Sequence, residues 1–566
     1  MEPIKEISDH IFKYVLPEEA TDRERVANTI PAQDVAHAIT GGKSVEIVNA
    51  VIEGALELES VAVEGRITIQ RTKIKGLVDC RYAKFKQVLK FHNSTFESDV
   101  DFTAAVVEKD ITLNGARFQG KVDLTDALLK GAFYAQSCAF DKEANFIGGR
   151  FGRRAVFIAA LFERSAMFSG CEIGGGAFFD SVTFRGEANF VCAHVDGRAM
   201  FNDTTFEGKA DFAGARIEST AEFHHATFKQ DMCFHGANVG DSVFFKETGF
   251  TGDADFSYSR IGSNVHFNGA VFRKKASFNS ALFDGHALYY QAEFRGKADF
   301  SAAMFRGGAT FAKTQFSGNV EFFAAELGTN VGFGYTIFSK NVMLMNANVG
   351  TAFFGPPEGP TTCDFRGKID LRGCTYDRIV PTSAWRLLMD RLHPYDRQPF
   401  TQLENTLRTA GHDELADKVY YRPKCREFWL IKKRNPFAWL TDGTLWLLTG
   451  FGVRIRRLLA IIAVVLMAGS FVFHFDGAVQ PADSSQDLSV LGPHPQQGAL
   501  ALEGVEPFWV SLKLFLPVEI PSASRWRPSS RTLWGVKFTS FATFLRLLGW
   551  VLVPLGVAGL SGWLKR

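Results

Sequence analysis

Phenylalanine returns every 22 residues through the middle of the chain, at Phe206, Phe228, Phe250, Phe272, Phe294 and Phe316, and again at Phe338. Three further apolar columns keep the same period. One runs Phe212, Phe234, Phe256, Phe278, Phe300, Phe322. The next runs Phe223, Phe245, Phe267, Tyr289, Phe311, Phe333. The last runs Ile217, Val239, Ile261, Phe283, Phe305, Leu327. Steps between columns alternate five and six residues. Four inward side chains per 22 residues describe a closed coil with four sides, and a fixed period of this length predicts a solenoid. The columns reach back through Phe190, Phe168 and Phe146 and through Phe184, Phe162 and Phe140, then fade into aliphatics at Ile74, Ile69 and Val63. A small residue stands two positions before most of them, as Ala210, Ala270, Ala292 and Ala303 do. A packed axis accounts for both choices: the ring fills the centre and the small residue lets the chain turn beside it. Gly208, Gly252, Gly296 and Gly307 are expected at corners with positive φ.

The segments GKADFAGARI, GDADFSYSRI and GKADFSAAMF carry a resemblance. They look like pentapeptide-repeat proteins, whose unit is a small residue, Asp or Asn, then Leu or Phe. The resemblance covers roughly 55–376 and implies a mainly β fold, a right-handed quadrilateral β-helix. The extra residue in every second unit enlarges each coil and leaves the architecture standing. At about 4.8 Å per coil, fourteen or so coils make a rod of roughly 65–70 Å. Function does not follow from the family alone.

Before the solenoid, residues 1–54 read as an N-terminal cap, with one short helix over AQDVAHAITGG stopped by Gly41 and Gly42. A cap is needed because a solenoid end exposes a sheet edge. At the far end GPPEGPTTC interrupts the columns before a last partial coil at Phe365, Leu371 and Tyr376. From 377 to 435 the period turns helical. Phe400, Leu403 and Leu407 form one stripe and Leu415, Ala416 and Val419 its match, with Gly411 between them, which predicts an αα-hairpin.

Residues 436–566 read as a membrane domain. Nine bases against two acids lie between Arg422 and Arg457. An uncharged run then predicts a span over 456–475, and a second span is predicted over 538–564. Bases before the first span and after the second put the solenoid and both termini on the cytoplasmic side of a bacterial inner membrane. The connection is solvated at first. It then turns apolar at Phe508 and Trp509, predicting an interfacial or re-entrant helix over 506–517. PFWVSLKLFLPVEI and GWVLVPLGVAGLSG resemble the C-terminal segment of membrane-attached bacterial pentapeptide-repeat proteins. Arg546 in the second span wants a phosphate, an acidic partner or an interfacial position. Ala468–Ser470 offers a small patch for Gly556 or Gly559.

Composition narrows the chemistry. A net charge of +2 gives no strong overall field, so no nucleic-acid partner is expected. The eight cysteines include no CxxC pair and read as small core residues of a reducing compartment. No nucleophile elbow, phosphate loop or zinc-spaced set is present. His224–His225 has a lysine one coil away at Lys246, which argues against a metal. No catalytic residue, cofactor or metal is expected. The recurrent Asp211, Asp255 and Asp299 are expected to bind a corner amide. The leading reading is a membrane-tethered, non-enzymatic interaction scaffold that meets a protein partner on a solenoid face. The alternative is a pore or channel-like subunit gated through the solenoid, with Glu519 beside the path and a homo-oligomer around it. A remote third is a DNA mimic that binds gyrase.

Overall fold

The computed structural model describes residues 3–431, 436–482, 504–516, 518 and 520–561. The chain divides into two units, Met1–Gln402 and Leu403–Arg566.

The first unit is the four-sided solenoid. Strands only two residues long stack in parallel, 22 residues apart, as in Ala210–Asp211 against Met232–Cys233. Four sheets of 12, 15, 16 and 18 strands form the sides. All four predicted columns are buried. Along Phe206, Phe228, Phe250, Phe272, Phe294 and Phe316, consecutive rings stack with centroids 4.6–5.2 Å apart and planes within 14°. Rings of neighbouring columns meet edge to face, as Phe250 and Phe256 do at 82°. The axis is thus filled by the offset and edge contacts that aromatic quadrupoles favour.

One member breaks the chemistry. Tyr289 is fully buried between Phe267 and Phe311, and its hydroxyl has no hydrogen-bond partner. A buried, unpaired hydroxyl costs about 1–3 kcal/mol. Tyr289→Phe is therefore expected to raise the thermal midpoint of the full chain, with about 1 kcal/mol or more gained; a lowered midpoint would reveal a partner for the hydroxyl.

The corners are not made as the glycines suggested. Gly208, Gly252, Gly296 and Gly307 lack positive φ. A Cβ on any of them would instead lie 2.2–2.4 Å from the backbone of the preceding coil. Their role is close approach. The left-handed corners fall largely on ordinary residues, among them Asp203, His225, Glu247, Tyr258 and Ser280, with φ of 55–58°. Where an outward Asp precedes such a corner, as before Gly214, Tyr258 and Ala302, it hydrogen-bonds the turn. Asp211, Asp255 and Asp299 each accept from the amide two residues on, at 2.9–3.1 Å. The same bond recurs at Asp79, Asp101, Asp123 and Asp370.

Stacking begins earlier and ends later than the strict period. Strand Ile11–Val15 already pairs in parallel with Ser44–Val48, and Thr29–Pro31 with Val51–Glu53. Between them lie α1 (Asp22–Ala27), closed by a Thr21–Glu24 capping box, and α2 (Ala32–Thr40). Only α2 is apparent from apolar spacing; it buries Val35 and Ile39. The GPPEGPTTC loop does not end the stack. It lengthens one coil by five residues, so Phe365 stacks on Phe338 at 4.6 Å and Tyr376 pairs with Val349. Then α3 (Trp385–Asp390) buries Trp385, Leu388 and Met389. At the start of α4 (Gln398–Thr409), Gln398 and Gln402 hydrogen-bond Gly373, Cys374 and Tyr376 of the last coil. Two side chains thus satisfy backbone groups that the final sheet edge leaves open.

In the second unit, Gly411 with φ of 76° separates α4 from α5 (Asp413–Ile431), and Leu407, Ala416 and Val419 are buried. Arg408 joins the two helices through Glu404 and Asp417 at 2.9 and 3.0 Å. A helix not expected from the sequence, α6 (Pro436–Thr449), follows. The Phe428 ring stacks on Trp439 and Trp446, and Trp446 donates to the Tyr421 hydroxyl. Last come α7 (Ile455–Phe473), α8 (Glu506–Phe515) and α9 (Phe538–Leu560).

Candidate functional site

Two surfaces are candidates: the outward columns of the solenoid and the apolar helices of the second unit.

In each two-residue strand one side chain enters the axis and the other leaves it. Each face therefore displays its own outward column. The first carries Asp79, Asp101, Asp123, Asp211, Asp255 and Asp299. These acids are engaged locally. Besides the turn amides, Arg81 lies 2.7 Å from Asp79 and Lys209 lies 2.8 Å from Asp211. Hydrogen bonds from the Arg81 guanidinium hold the Asp79 carboxyl below its ordinary range. A second face carries charge at Arg150, Glu172, Arg216 and Arg260, with Arg150 paired to Glu172 at 3.5 Å and Arg260 to Asp284 at 3.3 Å. A third presents Thr183, Thr205 and Thr227.

The fourth face differs. Between Thr112 and Thr310 its outward positions are Tyr134, Val156, Phe178, Met200, Glu222, Phe244, His266 and Leu288. Only Glu222 is an acid. All are half-buried except Val156, which is buried. Phe244 stacks on His266 at 4.6 Å, and His224 leans on Phe244 at 5.4 Å. Partial burial lowers the pKa of both imidazoles, so they are neutral near pH 7. Seven steps of about 4.8 Å make this an apolar stripe roughly 34 Å long. The ladder makes it legible in hindsight: every stripe residue stands immediately before a residue of the Phe223 column. His225 is exposed and lies 3.4 Å from Glu247. Among the described residues no cluster has the makings of a metal site.

The cysteines divide. Cys80, Cys138, Cys171, Cys363 and Cys374 are buried, and burial pushes the Cys138 and Cys171 thiols up to about 12. Cys192 is exposed at a left-handed corner, and Cys233 and Cys425 are half-buried. The expectation of eight core thiols fails at those three. At Cys233 the reason is position, since it takes the place of an outward Asp.

In the second unit α7 and α9 are long and apolar enough to cross a membrane, and only 17% and 28% of them is buried. Between them packs α8, burying Val510, Ser511, Leu514 and Phe515. Ser511 donates to the Leu466 carbonyl at 3.2 Å. Its hydroxyl lies 2.1 Å from where a Cβ on Gly469 would stand, and the Phe515 carbonyl oxygen lies 1.8 Å from a Cβ on Gly549. The small patch at Ala468–Ser470 therefore receives α8, not Gly556 or Gly559. Gly549, the second contact, carries no signal in the sequence beyond being small. Lys513 turns toward the Ala523 and Ser524 carbonyls at 3.2 and 3.5 Å. Phe508 and Trp509 pair edge to face at 5.7 Å on α8, each about one-third exposed. Arg546 lies apart from them on α9, exposed. Glu519 lies outside the described residues.

A family model described as pentapeptide repeats matches residues 81–128, 179–227 and 234–282, nine copies in all. This is a pentapeptide-repeat protein. Its matched repeats supply the stripe from Met200 to His266. Comparison with curated proteins and with solved structures gives no match. The pentapeptide-repeat solenoid is a structural fold, and its stacked faces are those of an interaction scaffold.

Proposed function

We propose that this pentapeptide-repeat protein is a membrane-tethered, non-enzymatic scaffold whose rod receives a protein partner along the Tyr134–Leu288 stripe. The stripe is the observation that carries the reading. The acidic column is engaged in its own turns and the charged face in its own ion pairs, whereas the fourth face offers half-buried apolar side chains over seven coil steps. A surface this apolar, broken by one acid at Glu222, marks a contact site. The two bare helices supply the tether, with bases at 422–457 favouring a cytoplasmic solenoid.

A photo-crosslinking residue placed in cells at Phe178, Phe244 or Leu288 is expected to give one discrete adduct. The same residue at Thr205 or Arg216 is expected to give none. Adducts spread evenly over the faces, or absent from the stripe, would overturn the reading. One observation favours the pore alternative: α8 sits between the spans as a re-entrant helix does. Against it, the carbonyls beyond α8 are taken by the Lys513 ammonium, where a cation path needs them free. Ion flux into proteoliposomes from the unaltered protein would decide for the pore.

A further inference from the structure

Among the described residues of the second unit, nothing neutralises the cation Arg546. Arg546 stands eight residues into α9, about 12 Å along its axis. Around it Phe544, Leu547 and Trp550 are 56%, 63% and 71% exposed, a surface made for lipid. Among the described residues the Arg546 guanidinium has no hydrogen bond or ion pair. Charge at such a depth is retained where it reaches a polar partner.

Geometry gives the direction of that partner. Helical side chains lean toward the helix N-terminus, so Arg546 leans toward the end where α9 begins. Thr543 and Thr539, both exposed, stand three and seven residues before it on the same side of the helix. The segment entering α9 adds Arg525, Arg527, Arg531 and Lys537, all exposed and without an acceptor among the described residues. Strand Val479–Pro481 pairs with Trp526–Pro528, and the 82%-exposed Trp534 meets Phe475 at 6.0 Å. These contacts hold the basic segment where α7 ends and α9 starts. An exposed tryptophan with arginines at the end of two apolar helices is the chemistry of a membrane–water interface.

We propose that Arg546 binds the phosphate of a phospholipid at the end where α9 begins, and that Arg525, Arg527 and Arg531 bias this site to anionic headgroups. The proposal rests on reading α7 and α9 as membrane spans, and its test separates the two. The purified full chain is floated with vesicles of phosphatidylcholine, with or without phosphatidylglycerol. Retained lipid is then counted by native mass spectrometry. The unaltered protein is expected to float and to retain phosphatidylglycerol over phosphatidylcholine. R546Q is expected to float and to retain about fivefold less, the worth of one base at an anionic surface; R546K should recover part of the loss. The triple variant R525Q/R527Q/R531Q leaves the span untouched and is expected to lose the headgroup preference even if R546Q fails to insert. Unchanged retention in R546Q, or no preference in the unaltered protein, would overturn the proposal. Displacement by inorganic phosphate would overturn it in favour of a free-anion site. Failure of the unaltered protein to float would overturn the membrane reading itself.

Discussion

Phe250→Ala is expected to destabilise the solenoid by about 3–5 kcal/mol, and to do so locally. The ring is 1% exposed, stacked on Phe228 at 5.2 Å and on Phe272 at 4.6 Å, with Phe245 and Phe256 at its edges. Its removal leaves a hole that the chain cannot close. Phe250 accepts from Arg273 N–H at 2.8 Å and the strand is paired on both sides, so the coils cannot move inward without losing the ladder. In a stacked array each coil depends on its neighbours alone. Amide exchange is therefore expected to speed up by roughly two to three and a half orders of magnitude around Phe228–Phe272, since each 1.4 kcal/mol is about tenfold. Around Phe118 it should stay unchanged. Thr205→Ala, on an outward column, is expected to shift stability by less than about 0.5 kcal/mol. Acceleration spread over the whole rod would show that the coils unfold as one block.

That prediction draws only on what the chain states openly. A side chain on the axis repeats its type in every coil, because the cross-section is the same each time. The period, the four columns, the small residues beside them and the Asp turns were all legible for that reason. Outward positions carry no such constraint. The Tyr134–Leu288 stripe is written in mixed residues, Tyr, Val, Phe, Met, His and Leu, and becomes a surface only once coils are stacked. The glycines show a related limit: a small residue reads alike whether φ or close approach demands it. In Gly208 and Gly296 it is the preceding coil that demands it. In the second unit apolar length located α7, α8 and α9 to within a few residues. Which glycine met which helix depended on tertiary contact, and there the sequence pointed to the wrong pair.

Gly549 offers the sharpest test of that contact. An alanine Cβ there would lie 1.8 Å from the Phe515 carbonyl oxygen, a backbone atom at the end of α8. Either α8 withdraws from α9 or the helices part, and overpacking of this kind costs about 1–3 kcal/mol. Seven residues on, a Cβ at Gly556 meets only the tip of Leu458, at 3.9 Å. Gly556→Ala is the same change on the same helix, and helix propensity alone favours it by about 1 kcal/mol. The two variants, compared as full chains in detergent, are expected to move the thermal midpoint in opposite directions. Exchange at residues 506–516 should quicken in Gly549→Ala alone. Withdrawal of α8 would also break the Ser511 bond to Leu466 and release Lys513 from the Ala523 and Ser524 carbonyls. If Gly549→Ala leaves ion flux at zero while unseating α8, the helix is a strut of the tether. If flux appears, α8 was closing a path, and the carbonyls that Lys513 occupies were its lining. Equal midpoints for the two variants would mean that α8 does not seat against Gly549 at all.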